Sequence, residues 1–114
     1  MAILEMTPDA EASPDLVGPV IRAGNLAEAV IEAVALDNPG SDVLVLDRDD
    51  YVRVHTLGTC RLTQASLQAC LGQPCRLAEL EIDMPSFRGR LKTHDDEYLW
   101  FYNQRGAATP GDQR

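Results

Sequence analysis

Apolar and polar positions follow two different periods along this chain, which predicts strands and helices in one domain. Residues 17–22 form a short, mostly apolar run and are predicted to be a strand. The apolar residues that follow recur at helical spacing as far as Val34, so a helix with one apolar face comes next. Asn25 is the expected N-cap of this helix, Glu28 completes a capping box, and residues 37–40 end the helix.

Two strands are predicted in the middle of the chain. Residues 43–46 are an apolar run, and residues 51–55 alternate with period two after a polar turn. The alternation places Val52 and Val54 on the buried face, and Tyr51, Arg53 and His55 on the exposed face. Residues 60–62 extend the second strand or pair again beyond Gly58.

Local signals in the second half predict two further helices. Thr63 is an expected N-cap, Leu71 ends the helix, and Gly72 stands where a C-terminal glycine belongs. A short helix is predicted at residues 77–80.

A hairpin is predicted at the end of the chain, between residues 87–92 and 98–102. Tyr98, Trp100 and Tyr102 share one of its faces, and this aromatic stripe suits either the core or a protein interface.

The predicted element order is β-α-β-β-(β)-α-α-β-β, which indicates a single compact α+β domain with a mainly antiparallel sheet, two main helices and one short helix. Residues 1–15 carry four acidic residues, two prolines and no basic residue, so we expect a disordered acidic tail there. Residues 104–114 are expected to form a flexible C-terminal tail, which leaves the folded domain at residues 16–103.

Composition narrows the function classes. The chain has 114 residues, 45% of them hydrophobic, which suffices for one modest core, and a formal net charge of -8. An acidic protein repels phosphate groups, so nucleic acid and an anionic membrane surface are not expected partners. With no apolar run long enough to span a bilayer and no signal peptide, the expected location is the cytoplasm.

No constellation of residues indicates catalysis, a cofactor or a metal. Gly18 and Gly24 flank a strand, but no lysine follows them as a phosphate loop requires, and Pro19 removes a backbone donor. Gly18 and Pro19 are instead interpreted as shaping the start of an edge strand. His55 and His94 lie apart, and His94 is favoured as part of a solvated turn over a weak metal site. The three cysteines match no redox or metal spacing and are interpreted as small buried hydrophobes.

A family resemblance rests on four stretches taken in order. These are VGPVIRAGNLAEAVIEAVALDNPG, DRDDYVRV, LGQPCRLAELEIDMPSFRGRL and YLWFY. Together they resemble the coupling or effector proteins of soluble di-iron multicomponent monooxygenases, and they are most similar to the toluene monooxygenase branch. The resemblance extends from Val17 to Tyr102.

The resemblance implies a regulatory protein that performs no chemistry and holds no cofactor or metal. It implies binding to the di-iron hydroxylase, where family members change the active site and couple reduction to oxidation of an aromatic or alkene substrate. A monomer is expected when the protein is free. Its acidic surface suggests competition with an acidic ferredoxin for the hydroxylase.

Three segments are predicted to contact the hydroxylase. The residues are Val17, Gly18 and Pro19 in the first strand, Asn38 and Pro39 after the first helix, and Met84, Pro85, Ser86, Phe87 and Arg88 before the hairpin.

Two other functions are alternatives to this one. A small-ligand-binding regulatory domain of the ferredoxin-like β-α-β-β-α-β type shares part of the element order and predicts a dimer with a ligand at its interface. A cysteine-dependent enzyme predicts one thiol with a depressed pKa.

Overall fold

In the computed structural model, which describes residues 2–8 and 13–102, two β-sheets and several helices surround an aliphatic core. The strands are β1 (Ile3–Glu5), β2 (Leu16–Arg22), β3 (Val43–Asp47), β4 (Tyr51–Leu57), β5 (Thr59–Thr63), β6 (Ser86–Arg88), β7 (Arg90–Thr93) and β8 (Glu97–Phe101). The helices are α1 (Asn25–Asp37), α2 (Gln64–Leu71) and α3 (Leu77–Leu80), and a 3-10 helix (Glu81–Asp83) follows α3.

The strands form a five-stranded sheet in the order β1-β3-β4-β2-β6 and a three-stranded sheet in the order β5-β8-β7. The β1–β3 pair is parallel, and the other described strand pairs are antiparallel. The predicted α+β class with mainly antiparallel pairing is therefore confirmed, and the pairing is divided between two sheets.

Helix α1 packs against the five-stranded sheet through small residues. Ala27 and Ala33 are fully buried beside Val30 and Val34, so the helix backbone approaches the strands closely. The helix ends at Asp37 as predicted, but its N-cap is Gly24 and no side chain caps it. The predicted capping box therefore does not form.

The local signals for the later helices are confirmed. The Thr63 hydroxyl accepts a hydrogen bond of 3.2 Å from the Ser66 N–H at the start of α2. Gly72 ends α2 in the left-handed conformation with φ of 80°. In the part of the chain that the structure describes, no helix is both long and apolar enough to cross a membrane.

The final hairpin is formed by β7 and β8, as predicted in outline. The predicted first strand over residues 87–92 is wrong, because Gly89 adopts φ of 93° and divides it into β6 and β7. These two strands join different sheets.

The N-terminal segment differs from the expected disordered tail. Ile3–Glu5 pairs with β3, and the Met6 N–H donates a hydrogen bond of 2.8 Å to the Val45 carbonyl. Met6 is buried, so the free energy of covering one methionine helps to hold a segment whose composition is otherwise typical of disorder. Residues 9–12 and the predicted C-terminal tail lie outside the described residues.

Candidate partner-binding surface

The first predicted contact segment lies inside the protein. Val17, Gly18 and Pro19 are buried, and β2 is not an edge strand because it lies between β4 and β6. Gly18 has φ of 142°, and a Cβ at this position would lie 2.2 Å from the Val54 carbonyl oxygen. Only glycine therefore fits between these two strands. In this structure the segment positions other residues and does not itself present a surface.

Two of the three predicted segments are brought together by strand pairing. Gly18 lies opposite Arg88 and Pro19 opposite Phe87 in the β2–β6 pair. Gly89 secures the end of β6, since a Cβ there would lie 2.5 Å from Val17 Cγ1. Close approach at Gly89 thus fixes the end of β6 against β2, whereas close approach at Gly18 fixes β2 against β4.

The remaining predicted segment, Asn38 and Pro39 after α1, is separate from these two, and part of it has a structural role. The Asn38 amide donates hydrogen bonds of 2.7 Å to the Val34 carbonyl and 2.8 Å to the Arg61 carbonyl, and it accepts one of 3.0 Å from the Arg61 N–H. The neighbouring Asp37 carboxylate accepts hydrogen bonds from the Thr63 N–H (2.7 Å) and the Ser66 hydroxyl (2.7 Å). These bonds tie α1 to β5 and α2. Pro39 alone of the predicted pair is exposed.

The segment before β7 supplies an exposed apolar surface. Met84 is buried, Arg88 is half-buried, and Pro85, Ser86 and Phe87 are exposed, with Phe87 at 41%. Sequence reasoning missed Ile82, which is 80% exposed in the 3-10 helix and is the most exposed of the large hydrophobic residues described. The sequence feature that could have indicated its exposure is a single apolar residue between two acidic residues, Glu81 and Asp83.

We call Ile82, Pro85, Ser86 and Phe87 the β6 patch. Tyr98 of β8 holds the adjacent 3-10 helix in place, because its hydroxyl donates a hydrogen bond to the carboxylate of Glu81, the residue before Ile82. Burial raises the pKa of Tyr98 to about 12, and the bond to Glu81 acts in the same direction, so the phenol stays protonated. The segment that carries the patch is thus tied to β8 by this hydrogen bond.

Charges next to the β6 patch are paired. Arg22 lies 3.4 Å from the Asp83 carboxylate, and its guanidinium carbon lies 5.8 Å from the Tyr51 ring centroid. The half-buried Arg88 side chain donates a hydrogen bond to the Ser13 carbonyl, which connects β6 to the chain before β2. The patch therefore presents apolar atoms beside the Arg22–Asp83 ion pair and an Arg88 side chain that is held by a backbone carbonyl.

His55 corrects the predicted exposed face of β4. It is fully buried, and among the described residues neither ring nitrogen has a hydrogen-bond partner of good geometry. Its pKa is lowered to about 4, mainly by burial and then by the charges of Arg88 and Arg53, with a smaller opposing effect from the Gly18 backbone. The imidazole is therefore neutral at pH 7. The sequence pattern failed because it assumed that only one face of the sheet is covered.

The aromatic stripe of the hairpin belongs to the core. Tyr98 and Trp100 are buried and pack edge to face, with ring centroids 6.1 Å apart. Tyr102 at the end of the stripe remains partly exposed. Of the two roles left open by the sequence, Trp100 takes the packing role.

The environment of the cysteines opposes a nucleophilic role. Cys60 is fully buried, and burial raises its pKa to about 12. Burial also raises the pKa of Cys70 and of Cys75, with further contributions from nearby carboxylates. All three are free thiols that stay protonated at neutral pH, in contrast to the activated thiol that a cysteine enzyme needs.

Within residues 2–8 and 13–102, no three His, Cys, Asp or Glu side chains are grouped so that they could hold a metal ion.

Comparison with solved structures shows that this fold occurs in other proteins. It is similar to a chain in the structure of a phenol hydroxylase–regulatory protein complex, with a TM-score of 0.65 and 22% identity, covering 77% of this chain and 99% of that chain. It is also similar to the soluble methane monooxygenase regulatory protein B, with a TM-score of 0.59 and 20% identity, covering 83% and 70%. At these identities the likeness concerns the fold.

Sequence comparison gives closer relatives. The chain is 56% identical over 88 residues to the effector subunit of the alkene monooxygenase system of Xanthobacter autotrophicus, which covers 77% of this chain and 87% of that protein. The model of the MmoB/DmpM family matches residues 15–101, from the residue before β2 to the end of β8. This chain is therefore a member of the MmoB/DmpM family.

Proposed function

We propose that this chain is the non-catalytic effector component of a multicomponent hydrocarbon monooxygenase and that it binds the di-iron hydroxylase of that system. The observation that carries the proposal is the 56% identity to an alkene monooxygenase effector subunit, together with the family match over residues 15–101. By binding, the protein couples O₂ activation to oxidation of the substrate. The same relative favours an alkene as the substrate over an aromatic hydrocarbon.

A protein of this kind acts through the free energy of binding. It changes the hydroxylase only as far as its affinities for two hydroxylase conformations differ, and each tenfold difference is worth about 1.4 kcal/mol. Such an effector needs an ordered docking surface and no catalytic side chain. The buried, protonated thiols and the neutral, enclosed His55 are compatible with that role.

We place the contact with the hydroxylase on the β6 patch. Ile82 and Phe87 are large, exposed and apolar, and they lie close in the chain in a segment that Gly89 and Tyr98 hold in place. Exposed apolar groups with a polar rim are typical of protein interfaces. The buried residues Val17, Gly18, Pro19 and Met84 support the patch in this proposal, whereas Asn38 and Pro39 belong to a different part of the surface.

The cellular setting follows from the same proposal. We propose that the protein works in the cytoplasm as a monomer when free, where its three free cysteines suit a reducing compartment. An acidic ferredoxin that delivers electrons to the hydroxylase would compete with it for basic surface on that partner.

Reconstitution with the purified hydroxylase and its electron-transfer proteins tests the proposal. Addition of the effector is expected to raise the rate of alkene oxidation and to lower the peroxide released per O₂ consumed. Failure of the wild-type protein to bind the hydroxylase, or binding without any change in product yield, would contradict the proposed function.

The location of the contact needs its own variants. Ile82→Ser and Phe87→Ser are each expected to weaken binding about tenfold, because each removes a large apolar anchor. Leu57→Ser is the matched control, since Leu57 is 60% exposed at the end of β4 and outside the patch. If all three variants bind the hydroxylase with equal affinity, the β6 patch is not the contact surface, and the proposed function is unaffected.

A further inference from the structure

A second surface with a different character lies at the opposite edge of the five-stranded sheet. It is a groove between β1, α1 and β3. Its apolar lining comes from Ile3 and Leu4 of β1, Ile31 of α1, and Val45 and Leu46 of β3. We call it the β1 groove.

The apolar atoms of the β1 groove are incompletely covered. Ile3 is 50% exposed and Leu4 is 44% exposed, although both lie in a strand of the sheet. Ile31 is only partly buried, while its neighbour Val30 is fully enclosed. β3 is the one neighbour of β1 in the sheet order, so no strand among residues 2–8 and 13–102 pairs with the outer edge of β1. The groove thus combines exposed apolar side chains with an open strand edge.

The charges around the β1 groove are of one sign. Of the nine described residues that line it, four are acidic, namely Glu5, Glu28, Glu32 and Asp47, and none is basic. Glu28 and Glu32 lie one turn apart on α1 and flank Ile31, so the helix presents an apolar side chain between two carboxylates. This differs from the β6 patch, where Arg22 compensates Asp83.

We infer that the β1 groove is a second docking surface, which takes a basic segment with an apolar side from the same partner protein. Under the proposed function, on which this inference rests, that partner is the hydroxylase. Apolar side chains of the segment would cover Ile3, Leu4 and Ile31, and its lysines or arginines would pair with Glu28 and Glu32. Charge complementarity selects this occupant, since an acidic segment would meet four like charges.

A second copy of this chain is a poor occupant for the same reason. The chain carries a net charge of -8, so two copies repel each other, and the groove itself offers no cation. A neutral hydrocarbon would leave the carboxylates without a partner.

The experiment measures the affinity of the full-length effector for the purified hydroxylase at low and at moderate salt. Glu28→Gln/Glu32→Gln removes both charges with little change in shape. We expect about tenfold weaker binding at low salt and a smaller loss at moderate salt, because screening already weakens the charge pairs. Ile3→Ser/Leu4→Ser is expected to weaken binding about fivefold at both salt concentrations.

The matched control is Asp95→Asn/Asp96→Asn in the exposed turn between β7 and β8. It makes the same change in net charge outside the groove, and its affinity is expected to stay within about twofold of wild type. Thermal melts of each variant ensure that affinities are compared for folded protein.

The outcomes separate this inference from the proposed function. If both groove variants bind the hydroxylase as tightly as the wild type does, the β1 groove is not a docking surface, and the effector role is unaffected. Equal losses in the groove and control variants would reduce the effect to net charge and overturn the groove as well. Absence of binding by the wild type would overturn both proposals. Dimerisation of the free chain that the groove variants abolish would assign the surface to a second copy and contradict the hydroxylase as occupant.

Discussion

The two edge strands of the five-stranded sheet have the same length but are attached in different ways. β6 (Ser86–Arg88) is paired to β2 where Gly18 and Gly89 leave no room for a side chain. β1 (Ile3–Glu5) is paired to β3, and its burial of apolar surface is concentrated in Met6, just beyond the strand. One edge is fixed by close packing and the other rests on a few backbone hydrogen bonds and one side chain.

The difference indicates how each edge can serve in binding. A surface held by close packing is preorganised, so the β6 patch loses little conformational entropy when a partner docks. A lightly held strand can shift or reorder, so the β1 groove suits a partner segment that adapts to it. Closely packed Gly18 should therefore tolerate substitution less well than Met6 beside β1, and the exposed residues of both edge strands should tolerate it best.

The largest effect is expected for Gly18→Ala. The new Cβ would lie 2.2 Å from the Val54 carbonyl oxygen and 3.1 Å from His55 Cα, at φ of 142°, so the strands must separate. We expect a loss of at least about 3 kcal/mol in the free energy of unfolding, measured by urea denaturation.

Gly24→Ala is the control for this loss. Gly24 has φ of 144° but no atom within 4 Å of its Cβ position, so it should cost only about 1 to 2 kcal/mol of backbone strain. Equal losses at the two glycines would show that backbone strain, and not the close approach of β2 to β4, sets the cost of the substitution at Gly18.

The next effect is the pH dependence due to His55, which lies beside Gly18 on β4. Its pKa is about 4 in the folded protein against an ordinary value of 6.5, so the unfolded chain binds the proton first as the pH falls. The stability due to the neutral His55 is fully present above pH 6.5 and is lost as the pH falls towards 4. The free energy of unfolding decreases by about 1.4 kcal/mol for each pH unit, to a maximum loss of about 3 kcal/mol.

His55→Leu should remove this part of the pH dependence. The quantity to measure is the difference between wild type and variant in the free energy of unfolding across this pH window, because the carboxylates contribute to both proteins alike. A difference that does not change with pH would contradict the neutral, buried imidazole.

A smaller effect is expected for Met6→Ala at the β1 edge. Met6 is buried but lies outside the main core cluster, so the loss should be about 2 kcal/mol, at the low end for a buried methionine. Hydrogen exchange should show that the Met6 N–H, which bonds to the Val45 carbonyl, loses its protection while the N–H groups of β4 keep theirs. Loss of protection throughout the sheet would instead make β1 part of the cooperative core.

The smallest effects are expected for Ile3→Ser and Phe87→Ser, one exposed apolar residue at each edge. Both should change the free energy of unfolding by less than about 0.5 kcal/mol in thermal or chemical denaturation. A larger loss for Phe87→Ser would mean that the β6 patch is needed for the fold, and its effect on hydroxylase binding would then have to be corrected for stability.

The sequence alone determined the elements whose signals are local. Helical periodicity located α1, the Thr63 cap and Gly72 located α2, and the ordered motifs identified the family. These features depend on hydrogen bonds and dihedral angles within a few residues, so a single segment carries enough information to predict them. The function proposed here rests mainly on the family match.

Only the tertiary structure decided which predicted contact residues reach the surface. The first strand segment, Val17–Pro19, is buried because β2 lies inside the sheet. His55 is buried because both faces of β4 are covered. β1 forms by pairing with a strand almost forty residues away. Burial and strand pairing depend on segments distant in the chain. The periodicity of one strand shows that its faces differ, but only the assembled sheets determine what covers each face.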